Sequence, residues 1–373
     1  MARKILIIAG EASGDLYGAH LVLRLKKKWP DAKFSGVGGA KMKEAGVNII
    51  RALDEISIIG VSEIFLKLKV IKNLFSLLRA KIDEERFDLG ILVNYPGFNL
   101  RLAKILKEKK IPVVFYSSPQ VWAWGKWRLE AIKRYVDKMI VFFKFEEAFY
   151  KRNGIGAELV GHPLVDIVKA EGYDLGIKKG GRAKTISLVP GSRESEVKNL
   201  FPIMLEAAKE IYSKNKDLRF LVTKHPQLPP QMYLRAMEGY KLPLSLIDGK
   251  IYDCLKESDL AIAASGSVTL EAAILKTPMV IIYRLSFLTG ILFLIFARLA
   301  NIGLVNIVAG KRIMPELVQY HCTPEKIAKE VIDILSDARR YKKMKEDLEL
   351  IDTLIGPSGA SDRAAASIAK LLP

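Results

Sequence analysis

Short apolar runs recur along this chain, each leading into small or turn-forming residues and then into a helical pattern. In the first half the runs lie at residues 5–9, 33–37, 89–93, 112–116, 138–142 and 157–160. In the second half they lie at 185–189, 219–222, 244–247, 260–263 and 279–283. Runs apolar on both faces, separated by helices, pair in parallel with the helices covering the sheet. The pattern predicts an α/β chain with two Rossmann-like, doubly wound parallel sheets, one in each half. A polar, glycine- and lysine-rich stretch at 173–184 contains or adjoins the link. In such sheets ligands gather beyond the carboxyl ends of the strands, so the loops leaving the strands are where chemistry is to be sought.

The loop after 185–189 reads Pro190-Gly191-Ser192-Arg193, with Glu194 and Glu196 in the first turn of the following helix. Ser192 can cap that helix, and Arg193 lies where its unpaired amides point, a combination suited to a diphosphate. An arginine paired with a nearby carboxylate fits the spacing equally well. After 260–263 come Ser265, Gly266, Ser267, Thr269 and Glu271. Amides and hydroxyls there suit a phosphate, and a glutamate one turn on can accept both hydroxyls of a ribose. Compensation of the helix dipole is the plainer reading of Glu271. The loop after 5–9 reads Gly10-Glu11-Ala12-Ser13-Gly14-Asp15. It has neither the lysine of a P-loop nor the glycine spacing of a dinucleotide site. Its small residues admit a ligand close to the backbone, and Glu11 or Asp15 could serve an acceptor hydroxyl. For Asp15 an ordinary first-turn position is the alternative.

The 59 Lys and Arg against 41 Asp and Glu leave a net charge of +18, which favours anionic partners. No nucleic-acid motif accompanies the basic runs, so no nucleic acid is expected, and a membrane surface or a phosphorylated substrate is the better use of the charge. With only Cys254 and Cys322 a disulfide framework is excluded. His20, His162, His225 and His321 lack ligand spacing and there is no Asp-x-Asp, so neither metal nor other cofactor is expected. The apolar run at the amino end is too short for a signal peptide, and a cytoplasmic location is expected.

Two stretches suit a membrane surface. Ile64, Leu68, Ile71, Phe75, Leu78 and Ile82 share one helical face with lysines flanking it, as an interfacial helix or a buried domain helix would require. Residues 285–297, with Phe287 and Phe293, carry no charge but fall short of the roughly twenty residues of a membrane span. Segments 304–310 and 315–319 read as loop and helix-start elements.

The motifs at 10–15, 118–124, Gly161-His162-Pro163, 190–197, 265–271 and 306–319, in this order and spacing, closely resemble the lipid-A-disaccharide synthase family over essentially the whole chain. The resemblance implies a GT-B glycosyltransferase, two domains facing a cleft. It implies transfer of 2,3-diacylglucosamine from its UDP donor to 2,3-diacylglucosamine 1-phosphate, forming a β-1,6-linked disaccharide 1-phosphate and UDP without a metal. It assigns residues 1–172 to acceptor binding and membrane association, 173–339 to the UDP-sugar, and about 340–373 to helices returning to the first domain. Those helices could pack in cis or exchange within a homodimer. The enzyme would sit on inner-membrane lipids at the cytoplasmic face.

Carried over by residue, Glu11 activates the acceptor, with Ser13, Gly14 and Trp122 on that side. Arg193 holds the diphosphate with Ser192, Ser265, Gly266, Ser267 and Thr269, Glu271 meets the ribose, and Asn306, Glu316 and Gln319 complete the donor site. One position departs: where the family has an aspartate, this chain has Asn94, whose amide cannot take a proton. Glu11 or Asp15 is then the base, or the chain is a natural low-activity relative, or the asparagine is an introduced near-isostere. Two other readings stand beside this one: another UDP-sugar enzyme of the same fold, and a catalytically silent lipid- or nucleotide-binding relative.

Overall fold

The apolar run at the amino end forms β1 (Lys4–Ala9), buried from Ile5 onward. The computed structural model describes residues 2–53, 64–122, 125–173, 184–284 and 301–372, the side chains of 64–68 excepted. After β1 come α1 (Ala12–Lys28), β2 (Lys33–Gly38), α2 (Ala40–Glu44), β3 (Val47–Ala52), α3 (Ile64–Glu84), β4 (Leu89–Val93) and α4 (Pro96–Glu108). Then follow β5 (Val113–Tyr116), α5 (Leu129–Tyr135), β6 (Lys138–Val141), α6 (Lys144–Arg152), β7 (Ala157–Leu159) and α7 (Pro163–Ala170). Among the described residues β1–β7 form one sheet in the order β3-β2-β1-β4-β5-β6-β7, with every neighbouring pair parallel.

The second half repeats the scheme with β8 (Lys184–Val189), α8 (Glu194–Lys214), β9 (Leu218–Lys224), α9 (Pro230–Met237), β10 (Leu244–Asp248), α10 (Ile251–Glu257), β11 (Leu260–Ala264), α11 (Val268–Ile274) and β12 (Met279–Tyr283). It continues through α12 (Leu304–Ala309), β13 (Glu316–Val318), α13 (Pro324–Ser336) and α14 (Ala338–Ile355), and the chain ends with α15 (Ala360–Ala369). The second sheet is ordered β10-β9-β8-β11-β12-β13, again all parallel. The chain is thus α/β with two doubly wound sheets. In each sheet the winding direction reverses once, between β1 and β4 and between β8 and β11, and in folds of this kind the connections diverge there to leave a crevice beyond the strand ends.

Two edge strands lie outside the apolar runs. Residues 315–319 contribute β13 rather than a helix start, because Glu316, Leu317 and Val318 pair with Ile281, Ile282 and Tyr283. Three half-buried residues carry no period of their own, so the neighbour decides their state. β3 joins β2 in the same way, with a register shift at Gly36/Val37.

Helix α3 turns the apolar face of its described part inward. Leu74, Leu78 and Ile82 are buried, Ile71 and Phe75 pack partly buried against the same core, and the Phe75 ring stacks on Phe98 at 4.2 Å. Ile71 and Phe75, expected at a membrane, are therefore core residues. Burying such a side chain is worth about 1.5–3 kcal/mol, which holds the face to the sheet. The side chains of Ile64 and Leu68, and the whole of the run with Phe287 and Phe293, lie outside the described residues.

The chain divides into two compact units, residues 1–167 with 355–373, and residues 168–354. The return to the first unit therefore falls at Ile355, later than the position near 340 read from the sequence. Nearly all of α14 stays with the second unit, where buried Lys276 donates to the Leu348 carbonyl at 3.1 Å and pairs with Asp352. Only α15 packs on α1, its amino end held by Asp166, which accepts from the amides of Gly359 and Ser361.

Candidate active site

In the first unit, parallel pairing sets Ala9 opposite Val93, so the loops leaving β1 and β4 emerge side by side at the crevice. Gly10 faces Tyr95 so closely that a Cβ on it would fall 2.3 Å from the tyrosine ring. Asn94 and Tyr95 both adopt left-handed backbone, each with φ of 48°, tolerable for asparagine but costly for an aromatic residue. Fully buried Asn99 holds this turn. Its Nδ2 donates to the carbonyls of Val93 at 3.2 Å and Asn94 at 2.7 Å.

Glu11 occupies the N-cap of α1 and is half-buried. Tyr95 lies close enough that the Glu11 charge adds to the burial that raises its phenol pKa. Asp15 has a different task. It is 5 % exposed, and its carboxylate accepts from three amides, Gly39 at 2.6 Å, Lys41 at 3.0 Å and Met42 at 3.1 Å. Burial raises its pKa, and the three amides oppose the rise. Both oxygens are thereby committed to the start of α2, an anchoring role.

Ser13 is half-buried in the same loop, whereas Gly14 packs against Ala9 and Val93, where an added Cβ would meet ordinary contacts of 3.4 and 3.5 Å. Half-buried Trp122 sets its ring edge-on to Phe145 at 5.0 Å. The preceding loop is tied down at buried Glu146, which accepts from the Ser118 hydroxyl at 2.6 Å and from the amides of Phe142 and Phe143. His162 is enclosed by Tyr17, Phe142 and Phe143, and burial pushes its imidazole down to about 3, so it stays neutral.

In the second unit Ala263 lies opposite Val189, which brings the loops after β8 and β11 together. Gly191 takes φ of 118° to turn the chain into α8. Arg193 is the N-cap of that helix, its side chain 64 % exposed, with Nη1 3.3 Å from Glu196 Oε1. The pairing alternative is thus present. An exposed pair of this kind is worth at most about 1 kcal/mol, so it leaves the guanidinium able to meet an arriving diphosphate. Ser192 is exposed beside it, its amide donating to Glu196 Oε2 at 3.0 Å.

Beyond β11, Ser265 Oγ donates to the Ile302 carbonyl at 3.1 Å, and half-buried Ser267 occupies the N-cap position of α11 without a side-chain capping bond. Gly266 faces open space. Thr269 is fully buried; its hydroxyl donates to the Gly266 carbonyl at 2.9 Å and accepts from the Val305 amide at 3.4 Å. It shapes the loop from behind. Glu271 is 8 % exposed, and burial pushes its carboxyl up to about 7 against the opposing Ser267 hydroxyl.

Asn306 is fully buried and spends its whole hydrogen-bonding capacity on the protein. Nδ2 donates to the Met314 carbonyl at 2.7 Å and to Glu316 Oε1 at 2.8 Å, while Oδ1 accepts from the amides of Ile313 and Met314, both at 2.9 Å. Glu316 in turn accepts from the amides of Ile302 and Gly303, which open α12. These two residues, read from the sequence as donor contacts, form a clamp that fixes the loop; Gln319, with φ of 52°, is the half-buried residue leaving β13. Among the described residues no cluster of metal-type ligands occurs, and no helix is long and apolar enough to cross a membrane.

Residues 5–369 match the family described as lipid-A-disaccharide synthetase. The chain belongs to this family. A lipid-A-disaccharide synthase of Syntrophus aciditrophicus is 39 % identical over 376 residues, spanning all of this chain and 98 % of its own length. Among solved structures, a UDP-GlcNAc 2-epimerase of Neisseria meningitidis superposes with a TM-score of 0.69 at 14 % identity, over 98 % of this chain and 100 % of that one. A calicheamicin glycosyltransferase does so with 0.62 at 17 %, over the full length of both chains. These two likenesses concern the fold alone. As a lipid-A-disaccharide synthase family member, the protein is a GT-B glycosyltransferase of lipid A biosynthesis, with sugar-nucleotide and lipid-linked glucosamine substrates.

For a lipid-A-disaccharide synthase the two crevices bring together Glu11, Ser13 and Asn94 in one unit, and Arg193, Ser192, Ser265, Gly266, Ser267 and Glu271 in the other. The sequence places the run Asn94 to Asn99 at the carboxyl end of a strand but gives Tyr95 and Asn99 no role of their own, although Asn-Tyr-Pro-Gly directly after a strand signals a sharp turn. It places Glu196 in the first turn of α8 but gives Ser192 as the cap, whereas Arg193 holds the N-cap position and Glu196, three residues on, has the spacing of a capping box.

Proposed function

We propose that this enzyme transfers 2,3-diacylglucosamine from UDP-2,3-diacylglucosamine to the primary hydroxyl of 2,3-diacylglucosamine 1-phosphate. The single observation that carries the assignment of residues is their placement. Motif residues of both halves fall on loops leaving the two strands that flank a winding reversal. The acceptor oxygen attacks C1 of the donor sugar as the C1–oxygen bond to the diphosphate breaks. UDP departs with the electron pair, and the hydroxyl proton passes to Glu11. Arg193 and the amides of Gly266 and Ser267 offset the charge gathering on the diphosphate, and Glu271 accepts from the ribose hydroxyls. Asn94 serves as a neutral hydrogen-bonding group on the acceptor side, since its amide takes no proton.

The chain's charge of +18, with Trp127 75 % exposed beneath the Arg128 guanidinium at 4.5 Å, supports docking on the anionic cytoplasmic face of the inner membrane. A homodimer would arise by exchange of α15 across the segment after Ile355.

Turnover in mixed micelles without added metal tests the base. Glu11→Gln is expected to lower kcat by roughly 10²–10⁴, with Asn94→Asp remaining within about tenfold of the parent. Turnover that appears only in the Asn94→Asp form would show that the base belongs at position 94 and not at Glu11.

A further inference from the structure

The turn that carries Arg193 contains an anion of its own. Glu196 Oε2 accepts from the amides of Ser192 at 3.0 Å and Arg193 at 3.2 Å, and Oε1 lies 3.3 Å from Arg193 Nη1. An arginine side chain has no acceptor, so in this capping arrangement the glutamate alone does the capping. Gly191 and this carboxylate are built on each other, for a Cβ at Gly191 would fall 2.4 Å from Glu196 Oε2. The glutamate side chain is 22 % exposed, against 64 % for the arginine it holds. The amides of Glu194 and Ser195, at the first two positions of α8, take no part in these bonds and have no acceptor within the helix.

We propose that Glu196 is a positioning residue of the donor site, fixing the Gly191–Arg193 turn and the guanidinium so that the diphosphate meets Arg193 and the first amides of α8 already in place. This rests on the reading of Arg193 as the diphosphate ligand. Two effects of the carboxylate oppose each other: its charge repels the diphosphate, and its three contacts preorganise the turn. The hydrogen bonds decide the sign, because losing them frees two backbone residues and a long side chain that binding must then order again.

The test is calorimetric binding of UDP and of uridine to the full chain and to its Glu196→Gln, Glu196→Ala and Arg193→Ala variants. Glutamine keeps an acceptor oxygen for the turn amides and loses the charge. The proposal expects Glu196→Ala to weaken UDP about tenfold and leave uridine unchanged, with Glu196→Gln within about threefold of the parent. Tighter UDP binding by both Glu196 variants would make the carboxylate a competing anion and overturn the proposal. So would unchanged UDP binding by Glu196→Ala alongside a loss in Arg193→Ala. An equal loss for uridine would assign Glu196 to the stability of the unit, also overturning it. If Arg193→Ala itself binds UDP as the parent does, the diphosphate reading fails, and the Glu196 role falls with it.

Discussion

Glu271 offers a test in which sign and size both come from the structure. Burial in α11 pushes its carboxyl from 4.5 up to about 7, so between those values the folded chain holds a proton that the unfolded chain has released. Protonation linked to folding in this way stabilises fully below pH 4.5 and is lost as the pH rises through about 7. At about 1.4 kcal/mol per pH unit the interval amounts to about 3 kcal/mol. Glu271→Gln removes the titration while keeping the shape of the side chain and an acceptor for Ser267. Urea unfolding from pH 5 to 8.5 should show parent and variant alike at the acid end, with the parent falling behind by about 3 kcal/mol at the alkaline end. The difference isolates Glu271, because every other carboxyl is common to both chains. A ribose that donates two hydroxyls to this group favours its ionised form, so UDP binding near pH 6.5 should release protons, seen calorimetrically in buffers of different ionisation heat. Parallel stability profiles would mean that the free carboxylate is solvated, and the argument from burial would be wrong.

Asp15→Asn turns an amide nitrogen or a single remaining acceptor toward three backbone donors, so thermal unfolding should show a loss of about 1–3 kcal/mol, with turnover falling less than about tenfold at a temperature where the variant is folded. Unchanged stability with a loss of hundredfold or more, on the order expected for a removed base, would return the proton to Asp15. Asn306→Ala strands the Ile313 and Met314 amides in the interior and should cost about 3 kcal/mol, with faster hydrogen exchange at those two residues. Full stability combined with lost donor affinity would instead make Asn306 a ligand contact.

The recurrence of apolar runs determined the α/β class, the two parallel sheets and the position of the loops, because a strand buried on both faces must be apolar throughout. Strand ends then placed Glu11, Asn94, Arg193 and Ser265 at carboxyl edges. The edge strands β3 and β13 were settled by their neighbours, since a short half-buried segment has no pattern of its own. The inward turn of the described part of α3 was likewise settled by packing, because an apolar face with basic flanks is the same sequence at a core or at a membrane. The roles of the polar residues were decided by distant partners. Asp15 closes on Gly39 and Met42, and Asn306 on Met314 and Glu316; each looked like an available functional group until folding brought up the amides and carbonyls that consume it. Sequence alone determined where ligands could be met, through local periodicity and turn chemistry. Tertiary structure decided which side chains remain to meet them, because hydrogen-bonding capacity is finite and is claimed by groups far away along the chain.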